Sequence, residues 1–181
     1  MTGQMIPEVQ PGEIGRGLAA GALATVMMSV VIVAGRAAGL LRTPPPAEIV
    51  GNVADVIAGA PPGTLVPVAP DVPLVIVTER EKPSPAFQAG WISAHLAYGA
   101  MCGLVFLVLR RLLGFVPPRL AGAAFGLIVW AGSYLGLMPA LRLYPWPAQD
   151  SLGRQGTLIL AHLVFGLSLS EAESRLERLH L

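Results

Sequence analysis

Charge is what this chain has least of. Charged residues fill 13% of its 181 positions, while 54% are hydrophobic. A soluble domain carries about a quarter charged residues, so an ordinary soluble fold is excluded. The net charge is +1, which leaves no basic face for nucleic acid and no lysine run for anionic lipid. The one cysteine, Cys102, sits in an apolar stretch. An intrachain disulfide framework is therefore excluded, and the thiol says nothing about compartment. Catalytic signatures are missing as well. The chain has no GxSxG, no HExxH and no P-loop, so a non-enzymatic protein is expected. It also lacks CxxCH, the motif for covalent heme attachment.

What the chain has is long uncharged runs. Residues 17–35, 91–109, 120–141 and 155–170 contain no Asp, Glu, Lys or Arg except the boundary they stop at. A hydrocarbon core about 30 Å thick needs roughly 20 helical residues. The first three runs meet that length, and the fourth is short by a turn. The predicted fold is all-α: one integral membrane domain over residues 1–181, a four-span bundle in contact with the lipid bilayer. The first run is not a cleaved signal. Glu8 and Glu13 precede Arg16, and the apolar run exceeds the usual length of a signal core. Residues 1–15 read as a flexible polar leader. "EAESRLERLHL", residues 171–181, reads as a charged helix continuing the fourth span into water.

Four spans place both termini on one side, with Arg16, Arg110, Arg111, Arg119, Arg175 and Arg178. Arg36, Arg42, Arg80, Lys82, Arg142 and Arg154 fall on the other, six against six. The short connection "RRLLGFVPPR" carries three arginines and no acid, which leans the termini toward the cytoplasm. Trp91, Tyr144 and Trp146 then form an aromatic belt on the outer side. The outer connection, residues 42–90, opens with "TPPPAEIVGNVADVIAGA". Ile49, Val53, Val56 and Ile57 share one face there, opposite Glu48, Asn52 and Asp55. That pattern predicts a short amphipathic helix on the membrane surface or across the bundle. Seven prolines between positions 61 and 85 follow, and a proline-rich loop is expected over the outer mouth.

One hexapeptide occurs twice, "AHLAYG" at 94–99 and "AHLVFG" at 161–166. Gly17 and Gly21 of the first span answer Gly122 and Gly126 of the third. The chain thus reads as two helical hairpins in parallel, related by an axis along the membrane normal. Small residues four apart recur at Gly99 and Gly103, Gly132 and Gly136, and Gly166 and Ser170. In lipid, close backbone approach supplies helix association. These faces are expected to pack the bundle, or to carry a homodimer or a larger membrane complex.

His95 and His162 lie in the outer half of their spans, each one turn above a glycine on the same face. Ionisable groups inside a bilayer are functional candidates because burying them is costly. Three readings are open. In the first, neutral His95 and His162 hydrogen-bond across helices to Ser133, Tyr134 or a carbonyl. In the second, the two imidazoles ligate a heme between spans two and four; otherwise no cofactor is expected. In the third, Pro139 breaks the third span, and Arg36, Tyr98, Tyr134 and Arg142 join the histidines in a pocket that moves an anion or a proton. Against the third, both arginines can snorkel to headgroups. A protein metal site is not expected, since two histidines give too few ligands.

The succession of "RTPPPAEI", a His-bearing second span, "PPRLAGAAFGLIVW", and "YPWP" before "AHLVFG" resembles the YagU-like family of uncharacterised bacterial inner-membrane proteins. The resemblance implies a four-span inner-membrane protein with cytoplasmic termini. It brings no catalytic residues with it.

Overall fold

The computed structural model describes residues 10–41, 45–57, 84–112, 114–141 and 150–179. Every regular element among them is helical. They are α1 (Pro11–Ala37), α2 (Pro45–Ile57), α3 (Pro85–Leu112), α4 (Pro118–Trp130), α5 (Met138–Ala140) and α6 (Leu152–Arg178). A π-helical turn, Ala131–Leu137, joins α4 to α5 without a break. Four of the described helices are long and apolar enough to cross a membrane: α1, α3, α4 through α5, and α6. The protein is an all-helical, multi-pass membrane protein.

Local chemistry explains where the helices begin and end. Proline opens α1, α3 and α4, where its missing N–H is no loss and its fixed φ is already helical. At the start of α1 the Gln10 N–H donates to the Glu13 carboxylate at 2.8 Å. At the start of α3 the Phe87 N–H donates to Ser84 Oγ at 3.2 Å. At α6 the Arg154 N–H donates to Ser151 Oγ at 3.3 Å. The end of α1 is a Schellman turn. Gly39 takes φ +74°, and the N–H groups of Leu40 and Gly39 reach the carbonyls of Gly35 and Arg36 at 2.9 Å. A side chain at Gly39 would strain that left-handed conformation.

These caps correct several boundaries. Pro11–Gly15, read as flexible leader, is the first turn of α1. Pro85–Gly90, assigned to the outer connection, belongs to α3. The helices outrun the apolar stretches because proline and capping groups, not hydropathy, set their starts. The charged segment continues α6 unbroken to Arg178. The proline-rich stretch 58–83 and Arg142, Tyr144 and Trp146 lie outside the described residues.

The four membrane helices form a row, α3–α1–α6–α4, in which each neighbouring pair is antiparallel and packs along its length. Small residues make the row tight. Ala20, Ala24 and Ala161 are fully buried where α1 meets α6. Between α1 and α3, a Cβ added to Gly21 would collide with the Gly99 carbonyl oxygen, and one added to Gly103 with that of Gly17. Between α4 and α6, a Cβ on Gly126 would strike the His162 carbonyl oxygen, and one on Gly122 that of Gly166. Gly132 and Gly136 differ: they sit in the π turn and approach no neighbouring helix within 4 Å. The faces that do approach are occupied inside the chain.

The row closes on itself only at one end. Phe106 of α3 and Phe125 of α4 meet with ring centroids 5.2 Å apart, beside the turn that joins the two helices. Arg110 fastens that turn by donating to the Val116 carbonyl at 2.8 Å. The same end gathers the charges. Glu13 pairs with Arg111, and Glu171 with Arg175 at 2.8 Å. Elsewhere the outward surface is apolar, with Val30 59% and Ile128 67% exposed, which suits contact with lipid.

Toward the other end α3 and α4 splay apart, and α2 lies across the gap against α3. The amphipathic helix therefore caps the bundle, but with a different stripe from the one expected. Ile49 packs against Tyr134 and Leu158, and Pro45, one turn earlier, is buried. Val53 and Ile57 point away, 37% and 81% exposed. The proline at the first turn seats that end of α2 in the bundle and turns the rest of the helix outward.

Candidate functional site: a cavity between the splayed helices

The fork between α3 and α4 encloses a cavity of about 240 Å³. Thr25, Met28 and Ile32 of α1 form one wall. His95, Tyr98 and Gly99 of α3 form another. Ser133, Tyr134, Leu158 and His162 complete it, with Pro45 and Ile49 of α2 across the top. Its lining is overwhelmingly apolar, with a few convergent polar groups, the usual character of a small-molecule site.

The repeated hexapeptides supply both histidines. His95 and His162 face the same cavity and lie within electrostatic reach of each other. No hydrogen bond joins the two rings among the described residues, and neither bonds across to Ser133 or Tyr134. His162 Nδ1 instead pairs with the Leu158 carbonyl of its own helix at 2.8 Å. That is a correction to the expected cross-helix bond. The carbonyl one turn back is the nearest acceptor, and in a low-dielectric interior it wins. His95 Nε2 is buried and has no hydrogen-bond partner.

The hydroxyls follow the same rule. Ser133 Oγ donates to the Val129 carbonyl at 2.6 Å, and Thr25 Oγ1 to that of Gly21 at 2.8 Å. Tyr134 reaches further. Its ring stacks on Trp130 with centroids 5.8 Å apart, and its hydroxyl donates to Asp150 Oδ2 at 2.6 Å. Asp150 also holds Arg154, Nε to Oδ2 at 3.3 Å, with side chains only 3% and 9% exposed. The π turn makes this reach possible. Met138 N–H bonds five residues back to the Ser133 carbonyl, and Pro139 lacks the N–H that would continue the α ladder. The widened turn buries Tyr134 to 5% exposure. Such turns recur at functional sites.

Of the residues read as a polar pocket, the structure brings together His95, His162, Tyr98 and Tyr134. Tyr98 is half exposed at 51%. Arg36 is not part of it: it lies exposed in the last turn of α1, outside the cavity lining. Arg142 lies outside the described residues. The arginine nearest this chemistry is Arg154, which sequence reasoning assigned only to a side of the membrane. Asp150 was missed too. The signal existed: an acid four residues before an arginine, flanking the N-cap serine of a helix.

The residues do not fit a heme. An apolar cavity of about 150 Å³ takes a benzene ring, so 240 Å³ takes a ring with a short chain, not a macrocycle. His95 Nε2 is also buried away from the space a metal would need. Among the described residues no three of His, Cys, Asp and Glu come together as metal ligands.

No curated protein and no solved structure matches the chain. A family model matches residues 11–180, nearly its whole length, and by that match the chain belongs to a family of unknown function, DUF6789.

Proposed function

We propose that the protein is a non-enzymatic accessory component of a bacterial inner membrane that holds a small apolar molecule between its helices. The observation that carries this reading is the cavity itself, about 240 Å³ and walled almost wholly by apolar side chains. The glycine-locked pairs on either side keep it from collapsing. No hydroxyl or thiol on its walls is paired with a base that would activate it.

The finer placement rests on other features. Termini in the cytoplasm are supported by the three arginines of the short α3–α4 connection and by the resemblance to YagU-like proteins. Descent from two parallel hairpins is supported by the repeated hexapeptide. Association with a second copy falls to the face bearing Gly132 and Gly136, which meet no neighbouring helix. A transport role loses support where Arg36 leaves the pocket and Arg154 is neutralised by Asp150.

The reading is tested with n-butylbenzene and the protein in lipid nanodiscs. Saturable binding beyond that of protein-free nanodiscs is expected by NMR of the ligand. Val129→Phe, which fills the cavity, abolishes it. Equal uptake by loaded and empty discs sinks the proposal.

A further inference from the structure

The hydrogen atoms in the cavity wall are all committed. Thr25, Ser133 and Tyr134 each give their hydroxyl hydrogen to a protein acceptor, at 2.8, 2.6 and 2.6 Å. Tyr98 is in hydrogen-bonding contact with the Cys102 thiol, one turn along α3. His162 completes the set. A carbonyl oxygen can only accept, so the Nδ1 that meets the Leu158 carbonyl carries the ring's hydrogen. In the neutral imidazole Nε2 is then a bare lone pair. His95 is the remaining polar group, and its Nε2 is buried.

Lone pairs are what these groups have left to offer. A guest with only a carbonyl or ether oxygen finds no free donor among them and loses its hydrogen bonds to water. A guest with one hydroxyl finds an acceptor that nothing else satisfies. We infer that the cavity selects a small apolar molecule bearing a single hydroxyl, of the size of an alkylphenol, with His162 Nε2 as the principal acceptor. This rests on the ligand-holding reading above and names the chemical class of its ligand.

Three probes of one shape test it in nanodiscs: 4-butylphenol, 4-butylanisole and n-butylbenzene. The phenol is expected to bind roughly five- to tenfold tighter than the other two, the worth of one buried hydrogen bond, after correction for uptake by empty discs. His162→Phe removes the acceptor and should bring the three affinities together, while retained butylbenzene binding shows that the cavity survives. Ser133→Ala should lower the phenol preference less. If the three bind alike to the unaltered protein, the donor rule is overturned and the ligand-holding reading stands. If none binds, that reading fails and takes this inference with it. A phenol preference that persists in both variants overturns the assignment to these acceptors.

Discussion

Gly21→Ala tests the packing that shapes the cavity. The new methyl would overlap the Gly99 carbonyl oxygen and lie 2.9 Å from the Ala100 Cα. Both neighbours are backbone, so no rotamer change relieves the clash. Ordinary contact starts near 3.4 Å, so α1 and α3 must part by at least about 0.5 Å along a seam that depends on closeness. Overpacking of this kind costs about 1–3 kcal/mol, and the better helix propensity of alanine returns at most about 1 kcal/mol. The net expectation is a loss of about 1–2 kcal/mol. Gly156→Ala is the control. It sits in α6 with nothing within 4 Å of the added carbon, so it should be neutral or slightly stabilising. Denaturant unfolding in bicelles, followed by far-ultraviolet circular dichroism, reads both. Double variants sharpen the test. A Cβ at Gly103 comes 2.9 Å from the Gly21 Cα, so once the seam has opened the second methyl costs less, and Gly21→Ala with Gly103→Ala should be sub-additive. Gly21→Ala with Gly126→Ala loads two separate seams and should add. If Gly21→Ala and Gly156→Ala behave alike, the seam is not what holds α1 to α3.

Other outcomes follow from single contacts. Asp150→Ala removes the carboxylate of a pair whose side chains are 3% and 9% exposed, and should cost about 3–5 kcal/mol. Tyr134→Phe should cost less, about 1.5–3 kcal/mol for a bond to a charged group, because Arg154 still holds Asp150; equal losses in thermal unfolding would contradict the assignment. Cys102 is 8% exposed, so maleimide should label it slowly in the folded protein and promptly in denaturant. Phe106→Ala, at a ring 1% exposed, should cost about 3–5 kcal/mol and speed that labelling; an unchanged rate would argue against the tight Phe106–Phe125 end. In a Cys102→Ser background, Gly12→Cys and Leu179→Cys should label from one side of the membrane and Val53→Cys from the other. A mixed result for the first two would break the four-crossing topology.

The sequence disclosed the four crossings because burial in lipid leaves a one-dimensional trace: no charge for about 20 residues. Gly17, Gly21, Gly99 and Gly103 were legible as packing residues for the same reason, since small residues at that spacing have few other uses in a membrane. The histidines were legible as candidates but not their partners. Which acceptor His162 takes depends on a local competition between the Leu158 carbonyl and groups on another helix, and spacing along the chain does not encode it. The π turn was hidden as well. Pro139 signalled a disturbed ladder, but only the fold shows the disturbance widening the turn before it and aiming Tyr134 at Asp150. Asp150 escaped because the hydropathy reading looked for acids inside the spans, and this one works from the turn just before the helix.

The cavity itself follows from an asymmetry between seams. Glycines or alanines line each seam that closes: Gly21 against Gly99, Ala24 and Ala161 between α1 and α6, Gly126 against Gly166. The fourth seam, α3 against α4, is held at one end by Phe106 and Phe125. Toward the other end it presents His95 and Tyr98 on one side and Ser133 and Tyr134 on the other. Those side chains are too large for backbone contact and too few to fill the gap they create. Three tight seams fix the helix directions, so the fourth cannot close by a shift of one helix alone. The void is thus a consequence of where glycine stops. In each histidine-bearing helix it stops at the same point, for Gly99 and Gly166 lie four residues beyond His95 and His162. A histidine placed there stands at the edge of the void, with its helix already anchored one turn below.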